Sequence, residues 1–452
     1  MINAINPLDG RYYNKTRPLA EYFSEEALMK YRIMVECEYL IALSALNKTA
    51  LRKFTAKEIT IMKNIYEKFD QASYTEIKKI EAATNHDVKS VEYFIKNKLS
   101  KSSLKDSIEW VHFALTSEDT NNISYALILS QSLENTIKPT ISKIVSELNS
   151  LAKKHKTLSM LARTHGQPAS PTTFGKEMKV FITRLEKQLK ELCNINIEAK
   201  LNGATGNYNA HVVAYPNVKW PEFSIKFISS LNKGKKFKLI ANLVTTQIEN
   251  HDSYIMIFDN IKRINNILLD FNQDIWRYIS DSYITQRPKD GEVGSSTMPH
   301  KINPIDFENS EGNLGLANAL FEFFARKLPI SRLQRDLSDS TIERSFGTAF
   351  GYSYLAYCSL LKGLSKISLN ENIINEDLNN HPEIITEAIQ TILRREGIAM
   401  PYEKLKELTR GKQVTILDIH KFIDRLEVSE KIKKELLKIT PENYIGLASK
   451  LI

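Results

Sequence analysis

The apolar side chains between residues 251 and 283 constrain this chain more than any other feature. Ile255, Phe258, Ile261, Ile264, Ile267, Leu268, Phe271, Ile275 and Ile279 recur mostly every three or four positions, the interval that returns a side chain to one face of an α-helix. A stripe this long exceeds the average helix of ~11–12 residues and must be buried against other helices. Met178, Phe181, Ile182, Leu185, Leu189 and Leu192 repeat the pattern, as do Leu314, Leu316, Leu320, Phe323, Phe324 and Leu328. All three read as core stripes. Three such helices in one central region predict a bundle, whose outward faces could join bundles of other subunits.

Sixteen glycines and 14 prolines in 452 residues lie below the usual ~7% and ~5%, which suits uninterrupted helices. The only strand pattern is a possible short hairpin within residues 202–216. The expected fold is all-α. More polar amphipathic segments flank the apolar middle, giving expected domains at 1–110, 111–364 and 365–452.

The charge of +9 arises from 62 basic residues spread among 53 acidic ones. The small basic cluster Lys233–Lys238 is not accompanied by a nucleic-acid module or a run of stacking aromatics, so no nucleic-acid partner is expected. A basic balance instead favours a small, multiply anionic substrate. Cys37, Cys193 and Cys358 are odd in number and far apart, which argues against a disulfide framework and a clustered metal site. Neither a secretory signal nor an apolar stretch of ~20 residues is seen, and a cytoplasmic location is expected. The letters SKL near the end are followed by Ile452 and so are not a terminal peroxisomal address.

The densest chemistry is GSSTMPHKINP, Gly294–Pro304. Two adjacent serine hydroxyls, a lysine and an amide lie between Gly291 and Gly294 on one side and Pro299 and Pro304 on the other. This reads as a catalytic loop, 288–304, able to close over a substrate.

GSSTMPHKINP closely resembles the signature of the fumarase/aspartase superfamily, whose members eliminate fumarate from succinyl-type substrates. Further segments resemble its adenylosuccinate lyase family, bacterial-type branch: NPLDGRYY from Asn6, ATNHDVKSVEYF from Ala83, TSEDTNN from Thr116, RTHGQPASPTTFGKE from Arg163, TTQIE from Thr245, FENSEGNLG from Phe307, QRDLSDSTIER from Gln334 and PYEKLKELTRGK from Pro401. The segment Lys233–Leu243 and the residues Arg287–Asp290 depart from the family pattern. The resemblance implies a three-domain lyase fold whose long central bundle builds a twenty-helix core in a homotetramer, with each active site assembled from three subunits. It implies release of fumarate from adenylosuccinate to give AMP, and from the succinylaminoimidazole carboxamide ribotide (SAICAR) to give AICAR, with no cofactor and no metal. Another lyase of the superfamily, such as argininosuccinate lyase, and an inactive structural protein are the alternatives.

Such an elimination needs one base and one acid. By resemblance Ser295 is the general base, acting as an oxyanion stabilised by nearby positive charge and backbone N–H groups, while Ser296 binds substrate. Lys301 and Asn303 would face the carboxylate on which charge accumulates. His165 is assigned as general acid, with His86 its rival or its support, and Glu308 and Glu311 as groups that keep His165 protonated. Arg335, Ser340, Thr341 and Arg344 suit a phosphate, with Arg11 and Tyr12 as a second nucleotide-contacting pair. Asn85, Asp87, Thr116, Ser117, Gln247 and Asn309 complete the transferred site. Thr116–Asp119 also reads as a helix amino-terminal cap.

Overall fold

The computed structural model describes residues 4–287, 298, 300–411 and 413–452. Helices dominate, and the strands among these residues form three two-stranded sheets. The periodic run becomes one helix, Asp252–Ser280. Phe174–Cys193, Ile305–Lys327 and Phe346–Leu364 are the other long helices of this region.

The chain divides into two compact units, each built from three separate segments. The first comprises Met1–Ser142, Lys187–Asn266 and Gly312–Cys358. Its core gathers Phe258 against Phe321, Phe324, Phe346 and Phe350, with ring centroids 5.0 to 6.2 Å apart, the offset and edge-on range that aromatic pairs favour. Asn265 is fully buried in the same helix. Its amide donates to Asn318 Oδ1 at 2.9 Å and Ser353 Oγ at 3.1 Å, and its Oδ1 accepts from the Tyr357 hydroxyl at 2.6 Å. A slip of any of these helices would strand buried polar atoms, so the network fixes their register.

The second unit comprises Lys143–Glu186, Ile267–Glu311 and Ser359–Ile452. Phe181 and Phe271 meet edge-to-face at 5.2 Å, and Asn272 donates to Ser310 at 3.0 Å. The carboxy-terminal helices close around Ile389, Leu393, Ile419, Ile423 and Leu436, a cluster that also takes in Leu161. An antiparallel hairpin pairs Ser159–Thr164 with Gln167–Thr173.

Three sequence readings change here. Leu316 and Phe323 are not core residues; they are 52% and 46% exposed. The buried ridge of their helix runs Leu314, Ala317, Phe321, Phe324 and Leu328, and helical geometry turns positions 316 and 323 to another face. Residues 202–216 hold the helix Asn209–Ala214 in place of a hairpin. The hairpin at 159–173 has no strand signal in the sequence, because Pro168 and Pro171 interrupt the alternation that marks a strand.

Candidate active site

The first unit assembles most of the residues assigned to nucleotide binding. Thr116 caps the helix Ser117–Ser132, and its N–H donates to Asp119 Oδ2 at 2.9 Å. Asp119 faces Lys200 Nζ at 3.0 Å, with both side chains wholly buried. Its carboxylate also accepts the N–H groups of Asn202 and Gly203 at 3.1 to 3.3 Å. Lys200 Nζ in turn donates to the carbonyls of Gly203 at 2.9 Å and Gln247 at 2.7 Å. One ion pair thus ties together TSEDTNN, the NGATG segment and TTQIE. Gly206 has φ +80°, and a Cβ there would lie 2.1 Å from the Thr245 carbonyl oxygen, so only glycine allows these loops to pack.

Gln247 is held by both ends. Its Nε2 donates to Ala204 O at 2.9 Å, and its Oε1 accepts from Arg335 Nη1 at 3.1 Å. Ser340 and Thr341 lie on the short helix Ser338–Glu343, and Arg344 is its carboxy-terminal cap.

Asp87 joins this set to the TNHD segment. Its Oδ2 accepts from Arg32 Nη2 at 2.8 Å and Arg344 Nη2 at 2.7 Å. Burial favours the neutral acid, but the Arg32 and Arg344 charges outweigh it and hold Asp87 well below the usual carboxylate range. Asn85 ends the helix Gln71–Thr84 in the left-handed region at φ 52°. His86 then caps the next helix, Asp87–Leu99, its Nδ1 accepting from Lys89 N at 3.2 Å. That cap is a structural role for His86, and it leaves Nε2 on an exposed ring. A cavity of about 380 Å³ beside Arg344 is lined by Asp9, Tyr13, Arg17, Glu25 and Gly347. Arg11 is exposed, its guanidinium 5.7 Å from the centroid of the Tyr12 ring.

Sequence reasoning missed a buried polar cluster behind Arg335. Glu118, Glu343 and His251 are each at most 2% exposed. Arg335 Nη2 lies 3.5 Å from Glu118 Oε2 and 3.8 Å from Asp339 Oδ1, while His251 Nε2 and Glu343 Oε1 are 3.2 Å apart. Burial, then the charge of Glu343, pushes the Glu118 carboxyl up to about 8. Burial opposes the His251 imidazolium, yet its bond to Glu343 and the charges of Glu343 and Glu249 raise it to about 9. The available signal was TSEDTNN itself, a wholly polar run inside the apolar region.

The second unit carries the residues assigned to proton transfer. His165 and Gly166 form the two-residue turn of the hairpin, with Thr164 opposite Gln167. Their φ values of 52° and 73° are those of a type I′ turn, in which glycine suits the second position. His165 is therefore exposed at a hairpin tip, and Arg163 is braced by the Tyr283 hydroxyl at 3.0 Å and by Asp377 at 2.6 Å. Lys301 N donates to Met298 O at 3.0 Å, and Ile302 O accepts from Gln286 Nε2 at 3.2 Å. Asn309 Oδ1 accepts from Ser359 Oγ at 2.7 Å. Glu308 accepts from Trp276 Nε1 and Glu311 from Gln273 Nε2, each at 3.1 Å. Ser295 and Ser296 lie outside the described residues.

By family, the chain is a lyase. The sequence model of a family described as "Lyase" matches residues 10–318, and that of the adenylosuccinate lyase carboxy-terminal region matches 331–445. The fold resembles the crystal structure of 3-carboxy-cis,cis-muconate lactonizing enzyme from Pseudomonas putida, with a TM-score of 0.74 over 99% of this chain and 97% of that one at 17% identity. In sequence the chain is 49% identical to an adenylosuccinate lyase of Legionella pneumophila, covering 100% of this chain and 98% of that protein. It is 50% identical to that of Dictyostelium discoideum over 99% and 97%, and 46% identical to that of Escherichia coli over 100% and 98%. The chain belongs to the adenylosuccinate lyase family of the fumarase/aspartase superfamily.

Proposed function

We propose that this chain releases fumarate from adenylosuccinate, leaving AMP, and from SAICAR, leaving AICAR. The observation that carries the substrate choice is the cationic set of the first unit. Arg335 precedes and Arg344 caps the short helix that carries Ser340 and Thr341, and Gln247 and Asp87, respectively, bond to the two guanidiniums. Guanidinium forks beside hydroxyl donors suit a phosphate, which adenylosuccinate carries and argininosuccinate does not. Arg11 and Tyr12 contribute further contacts to the nucleotide, and Asn85, Thr116, Ser117 and Asn309 line the same substrate.

Ser295 takes the proton from the carbon beside the carboxylate. Lys301 and Asn303 stabilise the charge that then accumulates on the carboxylate oxygens, with Ser296 holding the substrate. His165 gives a proton to the departing nitrogen, and the exposed tip of its hairpin lets it reach a substrate held by other chains. His86 orients the substrate or supports His165.

The active unit is a homotetramer with composite sites and a twenty-helix core, its subunits organised as 1–110, 111–364 and 365–452. Met256, Leu316 and Phe323 support this, since large exposed apolar side chains on long helices need cover. The enzyme works in the cytoplasm without cofactor, metal or nucleic acid; no helix among the described residues is long and apolar enough to cross a membrane.

Ser295→Ala tests the mechanism. Turnover of adenylosuccinate should fall by at least ~10²–10⁴-fold, the usual worth of positioned proton transfer, while calorimetric binding of adenylosuccinate persists. Turnover near the wild-type rate would remove Ser295 as the base.

A further inference from the structure

The buried cluster behind Arg335 contains an unusual concentration of unsatisfied polar atoms. Both carboxyl oxygens of Glu118 lack a hydrogen-bond partner, as do Arg335 Nε, Asp339 Oδ2 and His251 Nδ1. Leaving such atoms unpaired in the interior is costly, more so if they are charged, so they mark a place where burial serves something other than stability. Glu118 is 1% exposed, and its carboxyl lies 3.5 Å from the Arg335 guanidinium, beyond the usual hydrogen-bonding limit of ~3.2 Å. It sits close enough to compete for Arg335 without being bonded to it.

We propose that Glu118 is a positioning residue for Arg335: protonated, it leaves the guanidinium to the nucleotide phosphate, and ionised, it competes with that phosphate. The proposal rests on the reading of Arg335 as a phosphate ligand. The groups facing Glu118 all bear on its charge. Arg335 approaches from the segment before Ser338–Glu343, Asp339 and Glu343 from that helix, and His251 from the residue before Asp252–Ser280. Asp119, on Glu118's own helix, is engaged by Lys200. Once Glu118 ionises, the buried carboxylates of Glu118, Asp339 and Glu343 outnumber the cations Arg335 and His251. A phosphate dianion on Arg335 adds negative charge beside this excess and raises the proton affinity of Glu118 further. Phosphate binding above the Glu118 transition accordingly takes one proton from the medium.

The test is calorimetric binding of AMP to the full-length enzyme at pH 7 and 8.5, each in two buffers of different ionisation enthalpy. AMP is a useful probe because its phosphate, with a second pKa of ~6, no longer titrates in this range. At pH 8.5 the wild type should take up most of one proton, and affinity should weaken by up to about tenfold per pH unit above pH 8. Glu118→Gln should lose most of that uptake and show a much shallower pH profile, the remainder coming from His251. Binding by the wild type without proton uptake, which needs no variant to fold, would overturn the proposal, as would the same uptake in Glu118→Gln. Arg335→Lys separates the two layers. Weakened AMP binding supports Arg335 as a phosphate ligand even if the proton linkage fails, whereas unchanged affinity would overturn the phosphate reading and this inference with it.

Discussion

Asp87 and Arg344, 257 positions apart, meet through a 2.7 Å hydrogen bond within the first unit. The contact joins the TNHD turn to the QRDLSDSTIER segment, so groups assigned to substrate orientation and to phosphate binding share one carboxylate. The same oxygen holds Arg32, which anchors the pair to the buried helix Glu25–Ala45. Asp87→Asn would keep the shape and weaken both charge-assisted bonds. Loss of one such bond costs roughly 1–3 kcal/mol, so KM for adenylosuccinate should rise about tenfold or more while kcat falls less. Steady-state kinetics check this, and an unchanged KM would separate Asp87 from the substrate.

The ion pair of Lys200 with Asp119 has no access to solvent. Removing one member leaves the other charged and unpaired in the interior, at a cost of ~3–5 kcal/mol. Lys200→Met should therefore sharply lower the urea midpoint. Lys200→Met with Asp119→Asn should regain part of that loss, because the second change removes the orphaned charge. A double variant no more stable than the single one would show that the backbone bonds of Asp119, and not its pairing with Lys200, hold the three loops.

Stability should fall as pH rises from about 6.5 to 9. Glu118 is raised from an ordinary 4.5 to about 8, and His251 from 6.5 to about 9. Both groups bind protons more tightly in the native state than in the unfolded chain. The stability contributed by His251 is thus fully present below pH 6.5 and lost as pH passes 9, while ionising Glu118 erodes stability between 4.5 and 8. Thermal unfolding followed across this range should show a declining midpoint, with a shallower decline in Glu118→Gln. A midpoint that rises with pH would contradict the assigned directions.

The long helices were legible because apolar periodicity is a local signal: Phe258, Ile261, Ile264, Leu268 and Phe271 are all fully buried as their spacing requires. The misreading of Leu316 and Phe323 has the same origin, since hydrophobicity identifies apolar faces without saying whether the cover comes from this chain. Thr116 was legible as a cap because capping is decided within four residues. Glu118, two positions on, was not, because its environment is made by residues 251, 335, 339 and 343, brought together only by the fold. The hairpin carrying His165 was hidden by its prolines, although the His-Gly turn at its tip is a short-range signal.

The most direct measurement is fumarate release from adenylosuccinate and, separately, from argininosuccinate by the purified protein. Fumarate and AMP should appear in equal amounts from adenylosuccinate, with none from argininosuccinate. Release from argininosuccinate alone would contradict the phosphate site built on Arg335, Ser340 and Arg344, and no release from either would contradict the elimination chemistry assigned to Ser295 and His165.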